Sequence, residues 1–576
     1  ILNFIKNFTE SCFVQIYHCQ CVSPNDLICY DENYVNNCII CGTYVNISQG
    51  QDTIKRCMLQ RLKFGTAGLR GRMAAGYKCM NDVVVLQTAQ GLLSYLKKVC
   101  HQSQLRNGIV VGYDGRHNSK RFAELTAKVF ISASIPVHLF SKVCPTPFVS
   151  FATIMYGAGA GVMVTASHNP REDNGYKVYW GNGSQVIGPH DDNILDEIWQ
   201  CLENHELVKD CTVEVCNKYN EYIRDSLHDD VREVNKKTCV RTVYSAMHGV
   251  GYEYVIKAFE AAELKEPLSV REQQDPNPDF PTVIFPNPEE KECLELSKKL
   301  AEDNGIKLVL VNDPDADRLA VAEYDERYSW KVFTGNEMGS LLGWWMLEQH
   351  SKISDDSDVY LLASFVSSKM LKAIVKGRGY FVETLTGFKW MGNTTLVLSQ
   401  QDKKTLFAFE EAIGYMCGSQ VPDKDGVSVA SLASHLYSSG TSLSEQLQVL
   451  YSQFGYHVSH NGYYICHDPA IIQKIFRRIR NYHGSGVYPK KVGSCEIVHI
   501  NDFTQGTGLD QEYKNGEMIT FRCDNGLSVT VRTSGTEPKL KYYTELVCTA
   551  STQRERELKL VLRYHSHQTV LGITST

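Results

Sequence analysis

The stretch Ile306-Lys307-Leu308-Val309-Leu310-Val311-Asn312-Asp313-Pro314-Asp315-Ala316-Asp317-Arg318 is an apolar run of strand length that ends on three alternate aspartates. Its short length and β-branched content mark it as a buried strand. Residues 292–303 before it carry helical spacing, and Gly305 stops that helix. A helix feeding a covered strand that ends in a charged turn is half of an α/β unit.

The same alternation continues outward. Upstream, residues 108–113 read as a buried strand, 119–134 as an amphipathic helix (Phe122, Leu125, Val129, Phe130) and 137–140 as a strand. Pro145-Thr146-Pro147 turns the chain, and a strand over 161–164 runs into Thr165-Ala166-Ser167-His168-Asn169-Pro170. A second unit opens near 215 with a strand at 242–245 and a helix from Tyr252. A third covers 331–445. The last unit differs: 518–523, the turn Asp524-Asn525-Gly526 and 527–532 form a hairpin signal, followed by a strand at 540–547 and a charged helix near 554–562. No direct sequence repeat joins the units. The expected domains are 51–214, 215–330, 331–445 and 446–576. Residues 1–50, with five charged residues and little periodicity, are expected to be a separate, poorly ordered and dispensable segment.

Composition fits this division. A chain of 576 residues is too long for one core. Its 59 basic and 65 acidic residues give a net charge of -6, which argues against nucleic acid or an anionic membrane as partner but allows a small anion in a local basic cleft. No apolar run is long enough to span a bilayer. The start, 1–12, is broken by Lys6, Asn7 and Glu10 and lacks a signal-peptide core. Of the 20 cysteines, 14 lie singly between 57 and 548, as buried thiols of a cytoplasmic protein do. Cys19-x-Cys21 with Cys38-x-x-Cys41 fits no usual zinc pairing.

Four motifs carry chemistry. Ser167 sits at a strand end among small residues, with His168 and, beyond Asn174-Gly175-Tyr176, Lys177 as sources of positive charge. A surface turn is the plainer reading. No Gly-x-Ser-x-Gly elbow surrounds Ser167, so a triad hydrolase is disfavoured. Asp313, Asp315 and Asp317 converge only around a cation, and an all-oxygen set suits Mg²⁺. An EF-hand fails because its sixth and twelfth positions are Arg318 and Tyr324. An aspartyl-phosphate hydrolase fits Arg318-Leu319 poorly, and a solvated acidic turn stays open. Arg532-Thr533-Ser534-Gly535-Thr536, with Lys541 beyond, makes a phosphate nest or a polar hairpin end. Thr386-Gly387-Phe388-Lys389-Trp390 and Phe409-Glu410-Glu411-Ala412-Ile413-Gly414 place carboxylates beside glycine turns, where they can bind sugar hydroxyls. Phe64-Gly65-Thr66-Ala67-Gly68-Leu69-Arg70 is a glycine-rich loop with an arginine. The cluster 157–161 precedes a strand, so it is no dinucleotide site.

Together these residues closely resemble the alpha-D-phosphohexomutase superfamily, which uses a phosphoserine loop, a metal loop, a sugar loop and a phosphate loop in that order. Ser167, Asp313 to Asp317, Glu410 to Gly414 and Arg532 to Thr536 match in kind, order and spacing, over about residues 51–565. The details look most like its phosphopentomutase and glucose-1,6-bisphosphate synthase branch. Ala412 departs from the usual serine of the sugar loop, which weakens strict hexose recognition.

The resemblance implies four domains around a central cleft, three similar α/β domains and a smaller C-terminal α+β domain. It implies that Ser167 carries a phosphoryl group and, with Asp313, Asp315 and Asp317, binds Mg²⁺. His168, Lys177, Lys389, Arg318 and Arg70 are the implied catalytic residues, with Lys177 and Lys389 as acid and base if burial or charge lowers a lysine pKa. Gly387, Glu410, Ala412, Arg532, Ser534, Gly535, Thr536 and Lys541 would bind substrate. A sugar bisphosphate such as glucose 1,6-bisphosphate would be the activator, sugar phosphates the partners, and the chain a monomer. The expected reaction interconverts ribose or deoxyribose 1-phosphate with the 5-phosphate, with weaker phosphoglucomutase activity. Synthesis of glucose 1,6-bisphosphate from 1,3-bisphosphoglycerate, a phosphohydrolase and an inactive mutase-like binding protein are the alternatives.

Overall fold

A computed structural model describes residues 37–40, 43–46, 61–62, 68–188, 190–197, 208–326, 329–354, 358–466, 468–484, 486–492, 495–505, 516–534 and 539–548. The expectations for residues 1–50 and for a helix at 554–562 fall outside these residues, apart from the antiparallel pair Asn37–Ile40 and Thr43–Asn46.

Three sheets share one plan. In the first, Val208–Asp210, Val137–Leu139, Ile109–Tyr113 and Ala160–Val164 run parallel, Asp173–Trp180 returns antiparallel, and Gly68–Arg72 pairs antiparallel with that strand. In the second, Leu268–Ser269, Thr242–Ser245 and Leu308–Asn312 are parallel, and Leu319–Asp325 and Ser329–Val332 return. In the third, Tyr380–Thr384, Val359–Ser364 and Lys404–Glu410 are parallel and Gly414–Cys417 returns. The parallel strands Ile109–Tyr113, Ala160–Val164, Leu308–Asn312 and Val359–Ser364 are buried at every position, as strands covered on both faces must be. The helix expected over 292–303 begins as a 3₁₀ turn, Lys291–Leu294, before the α-helix Glu295–Asp303; first turns often tighten this way.

The repeated plan, invisible as a sequence repeat, places the Ser167, Asp313 to Asp317 and Glu410 to Gly414 motifs at the same point of their sheets. The last parallel strand of each sheet ends, the chain turns, and the next strand comes back antiparallel. Each turn contains one non-glycine residue in the left-handed region: Ser167 (φ 56°), Ala316 (φ 55°) and Ile413 (φ 52°). Such a conformation costs an L-residue roughly 1–2 kcal/mol. It is tolerated where the surrounding packing dictates it, commonly at functional sites.

The fourth domain is an antiparallel sheet in the order Tyr456–Ile465, Lys539–Cys548, Leu527–Thr533, Met518–Cys523, Cys495–Asp502, Lys491–Val492. The helix Pro469–Arg480, capped by Asp468, packs Phe476 and Ile479 on it. The hairpin expected around Asp524-Asn525-Gly526 is present, with Gly526 at φ 85°.

The first three domains share a continuous apolar core running from Val110 to Tyr451. Backbone bonds also tie these domains together: Thr146 N, at a helix start in the first, donates to Asp315 O at 2.9 Å, and Leu319 N to Ile413 O at 3.1 Å. The fourth domain docks on the third, where Glu545 accepts from the Ser368 hydroxyl and from Lys369 N (3.0 and 3.1 Å). No helix among the described residues is long and apolar enough to cross a membrane.

Candidate active site

Ser167 is 2% exposed and stands where the first turn meets the second. Its hydroxyl lies 3.2 Å from Asp313 Oδ2 and 3.2 Å from His168 Nδ1. Its N–H donates to Thr165 Oγ1 at 2.8 Å. The loop is held from beneath by Arg116, which sequence reading missed. Its guanidinium donates to the carbonyls of Ser167, Asn169 (2.7 Å), Pro170 (2.8 Å) and Asp173 (3.3 Å), and Asp114 pairs with its Nε at 3.2 Å. The signal was a strand that ends in Asp114-Gly115-Arg116, with charge at the carboxyl end of a parallel strand where ligands gather. Arg70 adds a clamp from the antiparallel edge, donating to Asn169 Oδ1 at 3.1 Å.

Asp313, Asp315 and Asp317 are fully buried, and one oxygen of each lies within 4.8 Å of the others. Their remaining oxygens are spoken for unequally. Asp315 Oδ2 accepts from Thr146 Oγ1 (2.6 Å) and Lys177 Nζ (2.8 Å). Asp317 Oδ2 accepts from Lys177 Nζ (2.8 Å) and faces Lys424 Nζ at 3.1 Å. Asp315 Oδ1 and Asp317 Oδ1 are buried without a hydrogen-bond partner. Asp313 has no lysine on it, and burial plus the charges of Asp315 and Asp317 push its carboxyl well above the ordinary range. Two orphaned oxygens and one carboxyl under like-charge stress fit a bound cation, and the all-carboxylate donor set suits a hard metal ion.

The lysines bear on acid–base roles. Burial opposes the charge on Lys177, but Asp315 and Asp317 outweigh it and hold the ammonium above its usual value, so the condition set for Lys177 as a base fails. Lys424 was also missed. It is 8% exposed, lies over the Phe388 ring, and Asp317 and Asp423 keep it charged against its burial. Its signal was Asp423-Lys424-Asp425-Gly426 at the mouth of the helix Gly426–Ser438. Lys389 packs over Trp390, with Asp191 Oδ2 3.9 Å from its Nζ. His168 runs against the expectation of positive charge: it is half-buried, and its desolvation first, then the charges of Arg318, Arg70, Lys541 and Lys177, push its pKa well below the ordinary value and disfavour the charged form.

In the third domain, Glu410 Oε1 accepts from Gly387 N at 2.6 Å, with Gly387 at φ 112° as the helix cap. Glu411 turns away, accepting from Ser364 (3.1 Å) and Ser367 (3.3 Å). Ala412 follows it in the turn, half-buried. In the fourth domain, Arg532 Nη2 donates to Tyr543 Oη at 2.9 Å, and Ser534 N to Lys539 O at 2.9 Å. Lys541 is the register partner of Arg532, and its charge reaches His168. Gly535 and Thr536, like 63–67, lie outside the described residues.

Residues 61–205, 217–326 and 334–454 match, in order, the α/β/α domains I, II and III of phosphoglucomutase/phosphomannomutase. The chain belongs to this family. It is 46% identical over 552 residues to a phosphopentomutase of Homo sapiens, covering 89% of each chain. It is 46% identical over 534 residues to the glucose 1,6-bisphosphate synthase of Homo sapiens, covering 86% of this chain and 85% of that one. A phosphoribomutase of Saccharomyces cerevisiae is 38% identical over 548 residues, covering 86% and 87%. Parafusin, a phosphoglucomutase of Paramecium solved in an open form, shares the fold with a TM-score of 0.66 at 18% identity, over 90% of this chain and 97% of that one. The fold of the family is therefore the fold of this chain, three α/β/α domains and a C-terminal sheet domain.

Proposed function

We propose that this chain is a phosphotransferase mutase that interconverts ribose or deoxyribose 1-phosphate and the 5-phosphate, with weaker activity on glucose phosphates. The observation that carries the reading is the Ser167 hydroxyl set 3.2 Å from Asp313, with Asp315 Oδ1 and Asp317 Oδ1 left open beside it. The pentose assignment draws on the phosphopentomutase and phosphoribomutase relatives. It also draws on Ala412, where a missing hydroxyl leaves fewer hexose contacts.

Asp313, Asp315 and Asp317 would hold Mg²⁺ together with the Ser167 phosphate. That ion would neutralise charge on the transferring oxygens. In the first step the bond from phosphorus to Ser167 Oγ breaks and a bond to a sugar hydroxyl oxygen forms. The hydroxyl proton passes to a base, for which Lys389 is the candidate, while Lys177, held protonated, suits the acid. Arg318 and Arg70 add charge around the phosphoserine, and neutral His168 holds the Ser167 oxygen by a hydrogen bond. Glu410 and the Gly387 turn bind sugar hydroxyls. Arg532, Ser534, Gly535, Thr536 and Lys541 grip the other phosphate and so fix the reacting end. The bisphosphate then turns over and its second phosphate returns to Ser167. A sugar bisphosphate such as glucose 1,6-bisphosphate primes the serine.

Equal identity to glucose 1,6-bisphosphate synthase supports a second reading, in which 1,3-bisphosphoglycerate is the donor. Comparing kcat/KM for ribose 1-phosphate with that for bisphosphate synthesis decides between them. Synthesis faster by tenfold, about 1.4 kcal/mol in the barrier, overturns the pentose assignment.

A further inference from the structure

Arg318 is surrounded by carboxylates and closed on none of them. Its Nε lies 4.0 Å from Asp313 Oδ2 and 3.9 Å from Asp317 Oδ1, and its Nη1 lies 3.7 Å from Glu289 Oε2. The Nε is buried and has no hydrogen-bond partner. An arginine beside a carboxylate ordinarily closes to about 2.7–2.9 Å. Were it to close on the aspartates, it would take up Asp313 Oδ2 and Asp317 Oδ1. The first of these faces Ser167 and the second is one of the two orphaned oxygens.

Glu289 faces the guanidinium at Nη1, whereas the aspartates face Nε. It projects from a turn of the second domain fixed by Asn287, whose Oδ1 accepts from Glu289 N (3.3 Å) and whose carbonyl accepts from Glu290 N (2.9 Å). Its side chain remains 35% exposed, against 16% for Arg318. The three separations, 3.7, 3.9 and 4.0 Å, are close enough that the Coulombic pulls are of the same order. Loss of the one on the Glu289 side would leave both remaining pulls directed onto the triad.

We propose that Glu289 is a positioning residue for the metal site: it holds the Arg318 guanidinium off the aspartates, so that Asp317 Oδ1, which has no partner, and Asp313 Oδ2, which meets the Ser167 hydroxyl, stay available to a divalent cation. The inference rests on reading the triad as a metal site. Partners one shell out from a metal commonly set its affinity by ten- to a hundredfold.

The test is calorimetric titration of Mg²⁺ into the full-length, unphosphorylated protein, with circular dichroism melting to verify folding. Glu289→Gln should weaken Mg²⁺ binding by about tenfold or more, and Glu289→Asp, which keeps the charge, should recover part of the loss. In an Arg318→Met background the Glu289→Gln change should cost less than about twofold, since the residue acts through that guanidinium. Unchanged affinity in Glu289→Gln, or an equal loss with and without Arg318, overturns the proposal; the latter makes Glu289 a through-space charge only. If Glu289→Gln does not fold, Glu289→Asp with and without Arg318→Met gives the same comparison. Asp315→Asn is the control for the underlying reading. If the unaltered chain and Asp315→Asn bind Mg²⁺ equally poorly, the metal reading fails and the inference falls with it. Binding that Asp315→Asn abolishes and Glu289→Gln leaves intact overturns the inference alone.

Discussion

The hydroxyl of Ser167 meets Asp313 Oδ2 at 3.2 Å across 146 residues of chain, each at the tip of an equivalent turn in a different sheet. That contact places a candidate phosphoryl carrier directly against the most electrostatically stressed member of the triad. It requires the first two domains to be docked, which Thr146 achieves by binding Asp315 through both its N–H (2.9 Å) and its hydroxyl (2.6 Å).

Ser167→Ala should lower turnover by about 10⁴-fold or more, the scale on which a covalent nucleophile is missed. Labelled phosphate from a sugar bisphosphate should no longer attach to the protein, while the circular dichroism spectrum stays unchanged. Activity within tenfold of the unaltered chain would sink the assignment.

Chelation should stop turnover and Mg²⁺ should restore it. Asp315→Asn should cost several kcal/mol of transition-state stabilisation, roughly a hundredfold or more in rate. Full activity after exhaustive dialysis against EDTA contradicts the metal role.

Arg116→Lys should separate positioning from binding. A point-charge ammonium cannot serve four carbonyls as the planar fork does, so the Ser167 loop should lose definition. The expected result is a fall in kcat of about ten- to a hundredfold with KM for the sugar phosphate nearly constant. A rise in KM at constant kcat would show that Arg116 serves binding instead.

Lys424→Met keeps the apolar stem over Phe388 and deletes the charge between Asp317 and Asp423. Breaking a buried pair on one side typically costs about 3–5 kcal/mol. Denaturant unfolding should show a loss of that order. A melting curve indistinguishable from the parent's refutes it.

His435 carries a pH dependence remote from the cleft. Burial pulls its pKa down to about 4, and its Nδ1 pairs with Asn235 Oδ1 at 2.7 Å. Since the folded value lies below the unfolded one, near 6.5, the unfolded chain binds the proton more readily. Its stability contribution is therefore complete above about pH 6.5, declines as pH falls from 6.5 to 4, and is lost below. The loss amounts to roughly 3 kcal/mol. Chemical denaturation at pH 7 and 4.5 should show a shallower decline for His435→Gln than for the parent chain; equal slopes would refute the assignment.

Local signals were enough for the buried strands and for the motifs at their ends. The run 306–311 followed by Asp313, Asp315 and Asp317 announces both a covered strand and a cation site, because apolar continuity and alternating carboxylates are properties of neighbouring residues. The hairpin at Asp524-Asn525-Gly526 was legible for the same reason. Arg116 and Lys424 carried local signals of a charged strand end and a charged helix start, but nothing near them, or near Glu289, reveals what they touch. Arg116 binds carbonyls 51 to 57 residues away, and Lys424 meets Asp317 from a different domain.

The sequence by itself determined the α/β alternation, the four motifs and their order, since these depend on periodicity and on residue chemistry within a few positions. Tertiary structure alone decided which charges face each other. It disfavoured the charged form of His168 by setting it, half-buried, among cations, and it favoured the charged form of Lys177 by setting Asp315 and Asp317 2.8 Å from its Nζ. The physical reason is that a side chain's protonation depends on its desolvation and on charges a few ångströms away, and here those come from distant parts of the chain.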